Sequence, residues 1–538
     1  MNGTNTYTSN TLVYSGFLVL NSSNALPTNT LLIISNNIAT GNPSLTFGNS
    51  SVFPTNNTLR FGANNALASI GGDGTWQGTT IMSGSNGFSI TGGTNLLNLA
   101  GPLITTNAGG TLAFHGSNTR IGGSLNFSGS VSFGVGDGLS ADIGERFTTV
   151  EFDKTNNWAS VSSFERGCII LGTNNALPPG VPFNQIGTLS SGVYDRRNLF
   201  DLNGFNQTVS SLKEVFPGNG LVEIGNNSTN SDSTLTYAGI STNTWTIVLV
   251  DNFNNPSIPH KLGLTVTSGL LETVATNTYT GPTLVSGGKL LVSTLVLNSF
   301  TTLGGSLAAT PVTVNGTGTF GGNGTVGGSV TIGAGGTLSP GDSYVFLGSG
   351  GTTTTQATRI GQLTLMGTDL TFGAGSRGIF EVNLGVGTND QVVGIGTLTY
   401  GGSLVVSNIG AQVFTNGTVL KLFDAAAYVA GAVTIQPSSP GPGLMWDASN
   451  LAIDGTLHVV ATVPPTLASP MRLPNGNFSL VINGGNGQGY SVLSSTNLAL
   501  PLSSWLVLQS GTLPGSPVVF TDLTATNYPL RFYTISSP

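Results

Sequence analysis

The chain has 538 residues but only 15 Lys and Arg and 22 Asp and Glu, a formal net charge of −7, with 79 Gly, five Met and one Cys. Without a basic excess to meet a phosphate backbone it is not a nucleic-acid binder, and 38% hydrophobic residues are too many for a disordered chain. Cys168, alone, closes no intrachain disulfide, and no apolar run reaches the roughly 18–20 residues of a membrane-spanning helix. The 71 Thr and 51 Asn, beside scarce Lys, Glu and Met, favour pleated strands joined by tight Asn and Gly corners, so the expectation is an all-β chain. At this length an architecture that grows by repetition fits better than one closed sandwich or barrel.

In chain order, Met1–Asn5 offers neither the basic nor the apolar stretch of a signal peptide, and a repeat motif starts at Asn5 already in stride. The expectation is that upstream turns and a leader are missing; a cytosolic protein of the same fold is the competing reading. Asn5-Thr6-Tyr7-Thr8 returns as Asn277-Thr278-Tyr279-Thr280. With Thr11/Thr283, Leu12/Leu284, Val13/Val285, Gly16/Gly288 and Leu18/Leu290, nine of 16 positions agree at an offset of 272. Asn24-Ala25-Leu26-Pro27 echoes at Asn65-Ala66-Leu67 and at Asn175-Ala176-Leu177-Pro178. Alternating stretches such as Leu125-x-Phe127 and Val131-x-Phe133 turn one face inward every second residue. An 18-residue echo then aligns Val312-Thr313-Val314 and Phe320 with Val330-Thr331-Ile332 and Leu338. It sets like on like, which favours a solenoid, each turn bonded to those above and below, over a hairpin meander. With about 20 residues per turn and about 4.8 Å between turns, residues 1–460 would stack to a length on the order of 100 Å. After the Pro-rich joint Val463–Pro470, candidate strands are Phe478–Ile482, Tyr490–Leu493, Trp505–Leu508, Val518–Phe520 and Leu530–Ile535.

The stretch NTYTGPTLVSGGKLLV (Asn277 to Val292) and the following VTVNGTGTFGGNGTVGGSVTIGAGGTLSPGDS (Val312 to Ser343) resemble the autotransporter-associated β-strand repeat of bacterial passenger domains. FDLNGFNQTVSSL (Phe200 to Leu212) is similar to another recurrent turn of that family, and Gln362 to Val460 resembles its closing turns. The resemblance implies a right-handed parallel β-helix of the pectin-lyase-like kind, exported and serving at the bacterial cell surface or outside the cell. The chain departs from an autotransporter in carrying no membrane barrel after the repeats; YSVLSSTNLALPLSSWLVL with FTDLTATNYPLRFYTI looks similar to a C-terminal module of some secreted bacterial proteins. The expected organisation is a first repeat block at 1–270, truncated at its N-terminus, and a second at 271–460 with the closing turns. A Pro-rich linker at 461–470 and a small β-sandwich-like domain at 471–538 follow.

Charge is concentrated in two places. Asp142, Glu145, Arg146, Glu151, Asp153, Lys154, Glu165 and Arg166 fall within 25 residues, and Asp195, Arg196, Arg197 and Asp201 form a second group. The groove or interaction patch is therefore expected at Glu145, Arg146, Glu151, Asp153, Lys154, Asp195, Arg196, Arg197 and Asp201. Paired carboxylates with a nearby base are what a polysaccharide lyase or glycoside hydrolase uses, and Glu151 and Asp153, at i and i+2 of a strand, share one face. Mutual surface pairing explains the same pattern without catalysis. His115, His260 and His458 lie too far apart for a metal motif, and Gly316-x-Gly318-x-x-Gly321 lacks the helix a dinucleotide site needs. Gly71-Gly72-Asp73-Gly74 and Asp137 hint at calcium nonapeptides without a run of them, and Thr265-x-Thr267 and Thr317-x-Thr319 hint at a Thr ladder that does not recur. The expectation is a monomeric, cofactor-free structural or adhesion protein that contacts glycans or another cell-surface component. A carbohydrate-active enzyme working at 142–201 is the alternative.

Overall fold

The structure, a computed structural model, describes residues 1–36, 43–63, 68–83, 87–105, 110–116, 118–133, 149–164, 167–186, 197–214, 221–253, 257, 259–298, 301–347, 353–462, 464–485, 488–513 and 517–537. The described residues are all-β. Helix is confined among them to Leu451–Asp454 and the 3-10 turns Leu502–Ser504 and Ala525–Asn527. The chain divides into two compact units, residues 1–409 with 421–434, and residues 410–420 with 435–538.

In the first unit, strands pair in parallel not with their sequence neighbours but with strands a full layer further on. One sheet runs Thr11–Val13, Leu31–Asn36, Thr58–Ala63, Thr79–Ser83, Leu103–Thr105, Leu125–Asn126. A second contains Phe17–Leu20, Ser44–Phe53, Ala68–Trp76 and Phe88–Leu99. The last of these carries two ladders, one to Thr111–Gly116 and one to Asn118–Ile121. From Leu262 onward there are three parallel tracks. Leu264–Val266, Thr283–Val285, Val312–Val314, Val330–Ile332 and Leu370–Phe372 form the first. Leu270–Thr273, Lys289–Val292, Thr319–Gly322 and Thr337–Pro340 form the second, and Thr276–Asn277, Ser306–Leu307, Thr325–Val326 and Thr364–Leu365 the third. Val312 stands opposite Val330 and Phe320 opposite Leu338, the pairs aligned by the 18-residue echo. Residues 270 and 271, between the two expected repeat blocks, lie inside the strand Leu262–Thr273.

The inward faces are apolar rows. Phe47, Phe53 and Trp76 pack with ring centroids 5.3–6.0 Å apart, and Phe133 meets Phe114, Phe152, Trp158 and Phe164 at 5.4–6.3 Å. Rings of this size bury ~150–250 Å² each, enough to fill the space between short strands that could not hold together alone. Antiparallel pairing enters this unit as hairpins, among them Thr294–Asn298 with Thr301–Gly304, Ser343–Leu347 with Thr353–Thr358 and Arg377–Asn383 with Thr388–Asn389.

Among the described residues the second unit contains the antiparallel pair Leu444–Asp447 with Thr456–Ala461, in a sheet with Val419–Lys421, and two further three-stranded antiparallel sheets. Phe478–Asn483 lies between Thr466–Arg472 and Val518–Asp522, and Gly489–Ser495 lies between Leu506–Thr512 and Phe532–Ser536. Leu480, Ile482, Tyr490, Val492, Leu513 and Phe520 form one buried cluster drawn from both sheets. The strand Thr466–Arg472 begins inside the stretch expected to be a linker. It tolerates Pro470 because it is an edge, and the register slips there, between Ala468 and Met471.

Candidate functional site

Of the nine expected patch residues, Glu145, Arg146, Asp195 and Arg196 lie outside the described residues, and Arg197 is described only as the first residue of the strand Arg197–Asp201. Glu151 and Asp153 come together, and what joins them is Arg120, which sequence reasoning missed. The strand Asn118–Ile121 pairs in parallel with Thr149–Phe152, setting Arg120 opposite Glu151. Thr119, Ile121, Val150 and Phe152 take the inward positions, so Arg120 and Glu151 share the outer face. Arg120 Nε donates to Asp153 Oδ2 at 2.6 Å and stands 3.9 Å from Glu151 Oε2. Asp153 is held there by its own N–H, which donates to the Ile121 carbonyl at 3.0 Å.

Burial raises the Glu151 pKa above the usual carboxylate range, the Arg120 charge opposes the shift and Asp153 adds to it. The hydrogen bond to Asp153 raises the Arg120 pKa further. The Arg120 side chain keeps 43% of its surface in water, so the trio is a half-solvated ion cluster. Lys154 is exposed, and its carbonyl accepts from Asn156 Nδ2 at 2.6 Å.

Asp201 stands on the same outer row. Glu151 pairs with Ile170 and Ile170 with Asp201, two ladder steps or about 10 Å of backbone away. It is 6% exposed, and its Oδ1 accepts the N–H groups of Asn203 and Asn227, both at 2.9 Å. Burial raises its pKa and those two bonds oppose the shift. Cys168, beside this row, has its thiol pushed up to about 12 by burial and then by Asp201.

A second charge cluster, also missed, joins three separate stretches. Lys289 pairs with Asp342; Arg359 binds Glu381, Nε to Oε2 at 3.0 Å. Asp390, 1% exposed, accepts the Gly361 N–H at 3.0 Å and the Glu381 N–H at 2.7 Å. Burial lifts its pKa to about 8; the two N–H bonds oppose the rise, and Glu381 and Asp342 add to it. In the second unit Asp522 takes Arg531 Nη1 at 2.7 Å and Tyr533 Oη at 2.9 Å, and Arg531 lies 4.3 Å from the Tyr528 ring centroid. Burial works against the Asp522 charge, yet the Thr524 and Tyr533 bonds and Arg531 hold its pKa below the usual value.

These carboxylates are occupied by guanidinium, ammonium or backbone N–H donors. Among the described residues no three His, Cys, Asp or Glu are placed to hold a metal ion, and no helix is long and apolar enough to cross a membrane. Both missed clusters join residues tens of positions apart; the sequence signal that could have found them is the layer offset itself, which carries Thr119-x-Ile121 onto Val150-x-Phe152 and Arg120 onto Glu151. No protein-family model matches the chain, and no curated protein matches it.

Proposed function

We propose that the first unit is a right-handed parallel β-helix, that two sheets of the second form a small β-sandwich, and that the whole serves as a non-enzymatic, secreted or surface-displayed structural protein. The work is done by the long side of the stack, as a stiff spacer or as a repeated face for weak, multivalent contact with glycans. The observation that carries this reading is the parallel pairing that recurs from Thr11 to Val429, with outward charges such as Arg120 and Asp153 or Arg359 and Glu381 held in local pairs. The location outside the cell rests on the likeness of Asn277–Val292 and Val312–Ser343 to the autotransporter-associated repeat. The raised pKa of Glu151 beside Asp153 and Arg120 favours a second reading, a carbohydrate-active site. One experiment separates the two. The protein is incubated with pectin, other uronic-acid polymers and neutral glycans, and retention on the polymer is followed beside release of unsaturated products or reducing ends. Retention without products supports the structural reading; products that vanish in Glu151→Gln establish the enzyme.

A further inference from the structure

In the sheet that begins at Gln207–Val209, a short run in each layer alternates buried, outward, buried, and the outward place is held by Thr. Thr208 pairs with Thr236, and Thr236 with Thr265. Leu284 interrupts, standing between Thr265 and Thr313. The row then resumes through Thr313, Thr331, Thr371 and Thr399. Its members lie 18 to 40 residues apart in the chain, so the sequence hides the row. The expectation that no Thr ladder recurs is thereby corrected: it recurs across layers, not along strands.

From Thr236 to Thr371 each member of the row has a strand partner on both sides, so the backbone offers no free edge and admits no further strand. What is left to an occupant is the side chains. Thr313 and Thr331 are exposed and the other members are half-buried. Among the described residues none of the seven Thr hydroxyls is used in a hydrogen bond. At the positions two before and two after each member only Asp369 is ionisable, so a polyanion finds no cation here. The same positions carry no aromatic ring, so an occupant is held by hydroxyl and methyl contacts spread along the row. With about 4.8 Å between paired strands, the row is about 34 Å long.

We propose that this Thr row is the contact face for a neutral, extended polysaccharide of β-linked hexopyranose rings lying along the stack, one ring to a layer. A chain of equatorially linked pyranose rings advances by close to one layer spacing per ring, and its hydroxyls both donate and accept, as Thr Oγ1 does. Each contact is weak, and affinity comes from their number along one polymer. A uronic-acid polymer instead brings a charge on every ring that the row has nothing to meet. The inference rests on the surface-contact reading above, for which it names the site and the ligand class.

The test follows retention of the full chain on microcrystalline cellulose and on immobilised polygalacturonate, at low and at high salt. Expected are saturable retention on cellulose that salt leaves unchanged, and none on polygalacturonate. Thr313→Lys combined with Thr331→Lys sets two long charged side chains across the row and should weaken retention about tenfold or more. Thr313→Val, Thr331→Val and Thr371→Val together keep shape and strand propensity while removing three hydroxyls, and should weaken it about threefold or more. These side chains point outward, so Tm should stay near that of the native chain in both variants. Thr325→Lys, on the separate row Thr276, Ser306, Thr325 and Thr364, is the control and should bind as the native chain does. The proposal is overturned if cellulose retains nothing or if Thr325→Lys alone removes binding. Retention that both row variants keep in full ends this inference alone, whereas soluble sugar products released from either polymer would end the surface-contact reading and this inference with it.

Discussion

A buried backbone N–H at a layer corner needs an acceptor, and in this chain side-chain amides and carboxylates of an adjacent layer supply it. Asn57 Oδ1 accepts from Thr30, Asn156 Oδ1 from Leu125, Gln207 Oε1 from Leu177, Asn277 Oδ1 from Leu249, and Asp251 Oδ1 from both Leu262 and Thr280. The abundance of Asn is thus a stitching device between layers as well as a turn former. Asn277 is 0% exposed, and its amide also donates to Thr273 Oγ1, Ala275 O and Ser306 O. Replacing it by Ala leaves several of these groups unsatisfied; Asn277→Ala is expected to cost about 3 kcal/mol in denaturant unfolding, and Asn5→Ala, where water replaces the amide, under about 1. Asp390 gives the pH counterpart. Its folded pKa of about 8 lies above that of an unfolded aspartate, about 4, so the fold holds the proton more tightly. Its stabilising contribution is therefore full below about pH 4 and is lost as pH rises to about 8. Melting curves from pH 5 to 9 should show a falling Tm, and Asp390→Asn should flatten that slope; an unchanged slope refutes the assignment. Cys168, its thiol raised to about 12, should be alkylated by iodoacetamide at pH 8 about a thousandfold more slowly in the native protein than after unfolding.

At the scale of the element, strands of two to five residues survive because rings interlock between layers. Phe133, 1% exposed among four aromatic neighbours, should cost about 3–5 kcal/mol when replaced by Ala, read from the denaturation midpoint. At the end of the strand Thr319–Gly322 the last residue has φ of +108°, and a Cβ there would stand 2.1 Å from the Val292 carbonyl oxygen, which explains the glycine physically. The strands were legible where Thr and Val alternate: Val312–Val314 and Val330–Ile332 sit in the register their 18-residue echo demands, because equal spacing and equal pattern leave one way to stack. The antiparallel hairpins between layers were not, since the Thr353–Thr358 strand comes from a Thr run that alternates no apolar face. The edge strand Thr466–Arg472 was hidden for a similar reason. Proline signals a break unless the strand has a free side, and a free side is a tertiary fact.

For the whole molecule, the same logic separates what could be read of the candidate site from what could not. Glu151 and Asp153 share a face by local alternation, but their partner Arg120 arrives through a layer of 31 residues, whereas the next pairing, Thr149 with Cys168, spans 19. Loops of unequal length hide such offsets from any fixed period, so a charge cluster in this chain is a property of stacking. Stacking also dictates how damage spreads. In a ladder where each layer touches chiefly the next, stability is close to a sum of layer and nearest-neighbour contributions, and a defect should be felt locally. Phe320, 0% exposed, sits between Leu290 and Leu338 on adjoining layers. Phe320→Ala should therefore speed hydrogen exchange first in 289–292 and 337–339, leave Leu45, Phe47 and Ile70 of the early ladder near their native rates, and do so with little dependence on salt, because few charges bind the layers together. Uniform acceleration across residues 1–409 would show instead that the parallel ladders unfold as one cooperative body, and would remove the nearest-neighbour picture on which the layer-by-layer account rests.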